Sequence, residues 1–258
     1  MNKISGIIIL LLFLSHSCFA QTQAGHNLMI KPGEITKDLM SLLYYNRDYL
    51  RITDDFKAYN NQHQLITKRA FFKLMATGNY LPLRLNVKEN SYRLYPLPHP
   101  IQKGIKSTLK HLGETALAHD EMEGKTLPAF HFIDLNGKVY TNISTKGKFI
   151  VLNCWFIHCQ VCNEEMPALN ELVKKYKGRK DILFLAPALD HRKNFKYFAV
   201  KKFDYAIIPD QNNLMRNLKI NEYPTSLIIN KRGLIIKVVD IPQELSRAMD
   251  TALASSKL

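Results

Sequence analysis

The sequence predicts an α/β protein in two parts: a mixed β-sheet flanked by helices over residues 124–258, preceded by a smaller α-rich region over 21–123. Three observations predict this. The run Phe149-Ile150-Val151-Leu152 is apolar, unbroken and partly β-branched, the character of a strand buried on both faces. Around it the chain reads as hairpin, then strand–helix–strand, then a second hairpin and a closing helix, an order that builds one sheet with helices against it. Before residue 124, by contrast, the leucines fall at helical spacing and only two short runs look like strands.

The 258 residues are 46% hydrophobic and 22% charged, which describes a globular chain and excludes a disordered one. Residues 1–20 stand apart. Lys3 supplies a positive start, residues 7–14 are unbroken apolar sequence, and Cys18-Phe19-Ala20 ends on a small residue. This is the pattern of a secretory signal peptide cleaved after Ala20. The apolar run is shorter than the ~20 residues that a membrane span needs, and no later stretch approaches that length, so a soluble exported protein of the periplasm or cell envelope is expected. Acylation of Cys18 after loss of residues 1–17 is the alternative, and Ser15-His16-Ser17 matches that processing poorly.

Loss of the signal removes Lys3 and lowers the formal charge of +14 by one. The remaining cations are spread over both halves. Their tightest group, Lys174, Lys175, Lys177, Arg179 and Lys180, falls at the predicted C-terminal end of a helix, where cations complement the dipole. A solvated helix end is therefore expected, and no nucleic-acid partner.

Residues 21–33 are a polar, mobile lead-in with Pro32-Gly33 at its end. A first helix follows over 34–50, with Leu39, Leu42, Leu43 and Leu50 on one face. The polar run 60–64 separates it from a second helix over 65–76, which Thr77-Gly78 ends as a C-cap. Strands over 80–85 and 91–95 form a hairpin, three prolines punctuate 96–100, and a longer helix covers 101–121. Glu123-Gly124-Lys125 is the join. Beyond it, strands over 130–133 and 139–141 flank the Asn136-Gly137 turn. Next come a strand over 149–154, a helix over 160–176 and a strand over 182–187. A helix over 192–200, a strand over 205–208 and a short helix capped by Asp210 lead to strands over 225–230 and 234–239, turned by Lys231-Arg232-Gly233. A helix over 242–254 closes the chain.

With Cys18 removed, Cys154, Cys159 and Cys162 remain, too few for a disulfide scaffold. Cys154 ends the apolar strand and reads as a small buried hydrophobe. Cys159-Gln160-Val161-Cys162 lies where the strand delivers the chain to a helix N-terminus. Helix amides and the positive end of the dipole favour a thiolate there, so Cys159 is the expected attacking group. Cys162, one turn inward, is placed to resolve a mixed disulfide. A zinc site would need a second ligand pair at similar spacing, and none follows. Haem attachment would need His after Cys162, where Asn163 stands. No metal, cofactor or small-molecule ligand is expected.

The pieces Gly147-Lys148, Trp155, Cys159-Gln160-Val161-Cys162, Glu165-Met166-Pro167 and Tyr223-Pro224-Thr225, in this order, resemble the TlpA/ResA branch of the thioredoxin superfamily, the exported thiol–disulfide oxidoreductases. The resemblance covers residues 124–258 and implies a thioredoxin-like fold. It further implies that Glu165 assists proton transfer between the thiols and that Pro224 is cis and faces the dithiol. Trp155, His158 and Tyr223 join Pro224 as the residues expected around a substrate. The implied partners are protein disulfides, apocytochrome cysteines awaiting haem among them, and a membrane-anchored thiol–disulfide electron donor. Pro167, inside the helix, removes an amide and should kink it. Two positions depart from the branch: Val161 stands where most relatives have proline, and His158 where a bulky residue is usual. A cationic His158 would stabilise the Cys159 thiolate and shift the couple toward oxidation, which leaves the direction of electron flow open. Two other classes compete. A peroxiredoxin needs Pro-x-x-x-Thr/Ser-x-x-Cys, and the corresponding positions are Leu152 and Phe156. A non-catalytic binding module would have shed a cysteine, and both are present.

Overall fold

The computed structural model describes residues 28–196 and 203–255. The predicted signal peptide, with Cys18, lies outside the described residues, as does the latter part of the helix predicted over 192–200. From Leu28 onward the lead-in is docked: Leu28 bridges Leu85, and Met29 N donates to Arg84 O at 3.3 Å.

Two helices replace the single one predicted over 34–50: α1 (Pro32–Ile35) and α2 (Leu39–Tyr49). The cause is local. Asp38 accepts a hydrogen bond from Ser41 N at 2.7 Å and caps α2 afresh. The new start also turns the helix, so Leu42, Tyr45 and Leu50 are buried while Leu39 and Leu43 stay exposed. Strands β1 (Lys57–Tyr59) and β2 (Leu65–Ile66) then pair as a hairpin, turned by Asn60, whose side chain accepts from Gln62 N and Gln64 N, each at 2.9 Å. This takes Leu65 and Ile66 out of the predicted second helix, α3 (Lys68–Met75), which starts behind the Thr67 cap. Gly78, at φ 69°, ends the turn after α3 in a left-handed conformation, with its N–H on Met75 O at 2.8 Å.

The predicted hairpin of β3 (Tyr80–Arg84) and β4 (Ser91–Pro96) completes a sheet of order β2-β1-β4-β3. Helices α3 and α4 (Lys103–Met122) pack on it over a core of Phe71, Phe72, Met75, Leu81, Tyr92 and Ile105. The region remains α-rich and carries two strands more than the leucine spacing suggested.

In the second part, β5 (His131–Ile133) and β6 (Val139–Thr141) form a small sheet of their own. The main sheet contains β7 (Phe149–Cys154), β8 (Ile182–Pro187), β9 (Ala206–Ile208), β10 (Thr225–Ile229) and β11 (Ile235–Val239), in the order β11-β10-β7-β8-β9. Strand β7 is central, parallel to β8 and antiparallel to β10 with Thr225 opposite Cys154. Helices α5 (Gln160–Lys175) and α7 (Pro242–Ser255) cover one face. The other face packs on α6 (Asn212–Leu218), the β5–β6 pair and Met122 of α4. This is the mixed, thioredoxin-like sheet between helices. Between β8 and β9 the described part of the helix predicted over 192–200 is a 3-10 turn at Arg192–Lys196. Asp210 does not cap α6; at φ 65° its carboxylate instead accepts from His191 Nδ1 and Arg192 N.

The two parts meet along β11. Gly124 N donates to Ile235 O at 2.8 Å, Ile235 N to Lys125 O at 2.9 Å, and Glu123 Oε1 accepts from Val238 N at 3.2 Å. The join therefore covers a sheet edge that would otherwise offer unpaired amides. The basic group at the end of α5 is largely paired: Lys174 with Glu171, Lys175 with Asp250, and Arg179 with Asp181.

Candidate active site

Strand β7 is buried along its whole length, which fixes the point where the chain leaves the sheet. Trp155 follows, fully buried, its N–H on Pro187 O at 3.1 Å and its indole against Phe195 and Phe203. The sequence placed Trp155 among substrate contacts. Its ring is instead out of a substrate's reach, and it supports the loop from beneath because β8 continues alongside and draws it inward.

The loop from Phe156 to Cys159 is held at three points. Asp190 accepts from Ile157 N at 2.7 Å, Asn163 Nδ2 donates to Ile157 O and Cys159 O at 2.9 and 2.7 Å, and Cys159 N reaches Phe156 O at 3.1 Å. Cys159 is thereby set as the N-cap of α5, where its Sγ accepts from Cys162 N at 3.1 Å. Cys159 and Cys162 are joined as a disulfide with Cα atoms 5.3 Å apart. Cys159 retains 6% of its surface and Cys162 2%. His158 and Val161 stand exposed beside them, and Val161 keeps 52%. On reduction, the amide that meets Cys159 Sγ and the helix N-terminus behind it would stabilise a thiolate at that sulfur rather than at Cys162.

Tyr223–Pro224 is a cis peptide. Since Thr225 pairs with Cys154, the same register sets Pro224 beside the residue that leads into the disulfide loop. Tyr223 packs on the core cluster that holds both cysteines, and its ring meets Phe156 edge-on at 5.6 Å. Glu165, one turn past Cys162, is half-buried, and burial first, then the negative charge of Asp240, pushes its carboxyl up to about 7. Glu164 instead accepts from Gln160 on the open side of the helix. Cys154 is fully buried and free, with its thiol pushed up to about 12 by burial alone.

Three residues at the site went unread in the sequence. Asp190 acts from 33 positions away, and Asp240 lies just past the end of β11, so neither carries a local signature. Asn163 was legible in principle, as a short polar side chain able to cap the turn it sits in. Among the described residues, no group of His, Cys, Asp and Glu side chains is arranged to hold a metal ion, and no helix is long and apolar enough to cross a membrane.

Residues 123–238 match the AhpC/TSA family. Over 120 residues the chain is 35% identical to the thiol-disulfide oxidoreductase ResA of Bacillus thuringiensis strain Al Hakam, an alignment covering 45% of this chain and 68% of that one. The thioredoxin-like protein YneN of Bacillus subtilis is 28% identical over 116 residues, covering 44% and 68%. Among solved structures, the thioredoxin domain of a thiol-disulfide oxidoreductase from Bacteroides vulgatus shares 21% identity at a TM-score of 0.46, covering 50% of this chain and 96% of that one. Identity of 35% carried across two thirds of a ResA chain is kinship in sequence, and the protein belongs to the thiol-disulfide oxidoreductases of the thioredoxin superfamily.

Proposed function

We propose that the protein is an exported reductase of protein disulfides that works through Cys159 and Cys162. The observation that carries this is the Cys159–Cys162 disulfide at the N-terminus of α5, with Cys159 as the cap. In the reduced protein, the Cys159 thiolate attacks one sulfur of a partner disulfide and expels the other as a thiolate, leaving a mixed disulfide. Cys162, deprotonated, then attacks Cys159 Sγ and closes the intramolecular disulfide. The second partner thiolate leaves, and two electrons have passed to the partner. Glu165 receives the Cys162 proton. A carboxyl near pH 7 can both take and return it, whereas one at the ordinary carboxylate value would rarely do so. As the family resemblance implies, the backbone around Tyr223 and cis-Pro224 would pair with an extended partner segment, and exposed His158 and Val161 would flank its approach. Trp155 supports the loop from below.

The signal-like residues 1–20 support export to the periplasm or cell envelope, with Cys18 as an alternative lipid anchor. Recharging the dithiol in an oxidising compartment calls for a membrane-anchored thiol–disulfide donor. Protein disulfides are the substrate class, and apocytochrome cysteines are one member that the family resemblance supplies.

Insulin-disulfide reduction tests the reading. The wild type should turn over, Cys159→Ser should be inactive, and Cys162→Ser should accumulate the mixed disulfide. Inert wild-type protein, or turnover that survives Cys159→Ser, overturns it. A couple measured near about −120 mV would make the protein an oxidant instead.

The match to the AhpC/TSA family favours a second reading, thiol peroxidase. Residues 152 and 156 would have to bind the peroxide oxygens. Leu152 is fully buried in β7 and Phe156 packs on Tyr223, so neither presents a polar group to an oxidant.

A further inference from the structure

Asp240 stands at the end of β11, where five elements converge. From α4, His119 Nε2 lies 3.4 Å from Asp240 Oδ1, and the His119 side chain is only 10% exposed. His111, two turns earlier on α4, also acts on the carboxylate through its charge. From β10, the Thr225 hydroxyl is 3.3 Å from Asp240 Oδ1 and 2.8 Å from the backbone oxygen of Glu222. The Glu222 carboxylate, in the loop before β10, acts on Asp240 as well. From α7, Glu244 lies in the same field, and from α5 so does Glu165. A cavity of about 280 Å³ opens beside this meeting point, lined in part by His111, His119, Glu222 and Thr225.

Two features set this apart from routine packing. Thr225 directly follows cis-Pro224 and lies opposite Cys154, so whatever fixes Thr225 fixes the turn beside the disulfide. His119 belongs to the long helix of the N-terminal region, which carries no chemical motif of its own. A single carboxylate therefore links that helix to the turn and to the proton acceptor.

We propose that Asp240 is a positioning residue of the redox site, through which α4 holds the cis-Pro224 turn and the electrostatic field at Glu165 is set. This rests on the dithiol reading above. Burial pushes Asp240 up to about 6, a rise that Glu222 adds to and that the Thr225 hydrogen bond and His111 oppose, and 39% of its side chain still meets solvent. Burial also pushes His119 down to about 4, so at neutral pH it meets Asp240 as an uncharged ring and leaves the negative charge in place. That charge is then available to raise Glu165.

The test is a carbon-13 NMR titration of the glutamate carboxyls in the full-length chain, with Glu165→Gln to assign the signal. In wild type, the Glu165 curve should carry a second inflection as Asp240 ionises. In Asp240→Asn, which keeps the shape and an acceptor for Thr225, the Glu165 midpoint should fall by about one pH unit, and Asp240→Glu should restore it. His119→Leu should raise the KM for insulin more than it lowers kcat, and His119→Gln should recover it. A single-step wild-type curve overturns the proposal whether or not the variants fold. So does an Asp240→Asn midpoint that has not moved. Insulin reduction by the same wild-type sample reports on the dithiol reading separately, because the titration needs no turnover.

Discussion

A third thiol five residues upstream of a reactive pair is a hazard, since it could capture either partner in the wrong disulfide. Cys154 is kept from this by burial at the end of β7, the central strand, which holds its thiol at about 12 and so leaves almost no thiolate at neutral pH. Cys154→Ala should leave insulin reduction unchanged and cost about 1 kcal/mol of stability through the small void it leaves. Ellman titration of the reduced chain from Gln21 onward should find two fast thiols and a third only on unfolding. Glu165 makes the opposite use of burial. If Glu165 accepts the Cys162 proton as proposed, its carboxyl near 7 means that the rate of resolving the mixed disulfide should climb as pH rises through that value, because only the ionised form can accept it. Glu165→Gln should lose the inflection and fall on the order of tenfold to a hundredfold in rate, read by stopped-flow exchange. The placement of Cys159, Cys162 and Glu165 along the first turns of α5 was legible because it is written in helical spacing. Asp190, which holds the loop through Ile157 N, was not, because 33 residues separate the partners.

At the scale of elements, the tightest contact in the N-terminal region is between α3 and α4. A Cβ on Gly113 would stand 2.3 Å from Ala76 N and 2.4 Å from the Met75 carbonyl carbon. Both are backbone atoms with no rotamer to yield, so the helices could not keep their separation. Gly113→Ala gains helix propensity, yet it should lose about 2–3 kcal/mol in urea denaturation, because overpacking against backbone outweighs a propensity gain of about 1 kcal/mol. In the sequence, Gly113 marks only a weak point in a helix. The strands and helices around the disulfide were readable to within a residue or two, since each is a long apolar or periodic run bounded by turn residues. Those misread in the N-terminal region depend on single polar side chains. Asp38 caps α2 and splits one apparent helix, and Asn60 turns a hairpin out of what looked like a helix start. Such caps act over three or four residues and leave the hydrophobic pattern unchanged.

For the whole molecule, the seam along β11 joins the N-terminal region to the sheet that carries the disulfide. Hydrophobic spacing said nothing of the seam, because its hydrogen bonds run from backbone to backbone and from Val238 N to the Glu123 carboxylate across 115 residues. Around the seam and the site, His119, Asp240 and Glu165 titrate away from their ordinary values, and their signs can be compared. The His119 value is depressed to about 4, so between 4 and 6.5 the unfolded chain binds a proton that the folded one refuses, and stability rises with pH. The values of Glu165 and Asp240 are raised to about 7 and about 6. From their ordinary values up to those, the folded chain keeps protons that the unfolded one releases, and stability falls with pH. Glu165 and Asp240, joined by Glu244, which burial also raises, therefore oppose one histidine between pH 5 and 6, and above 6.5 the fall comes chiefly from Glu165. Asp181 and Asp250, held low chiefly by their hydrogen bonds to Arg179 and Lys175, act below this window and leave its slope unaltered. The urea midpoint should thus decline from pH 5 to 7.5, at less than about 1 kcal/mol per pH unit once solvent contact at Asp240 and Glu165 is allowed for. Glu165→Gln should flatten the decline above pH 6.5, and His119→Gln should steepen it below that point. A midpoint that instead climbs steadily to pH 7.5 would mean that the two carboxyls are ionised as readily in the fold as in water.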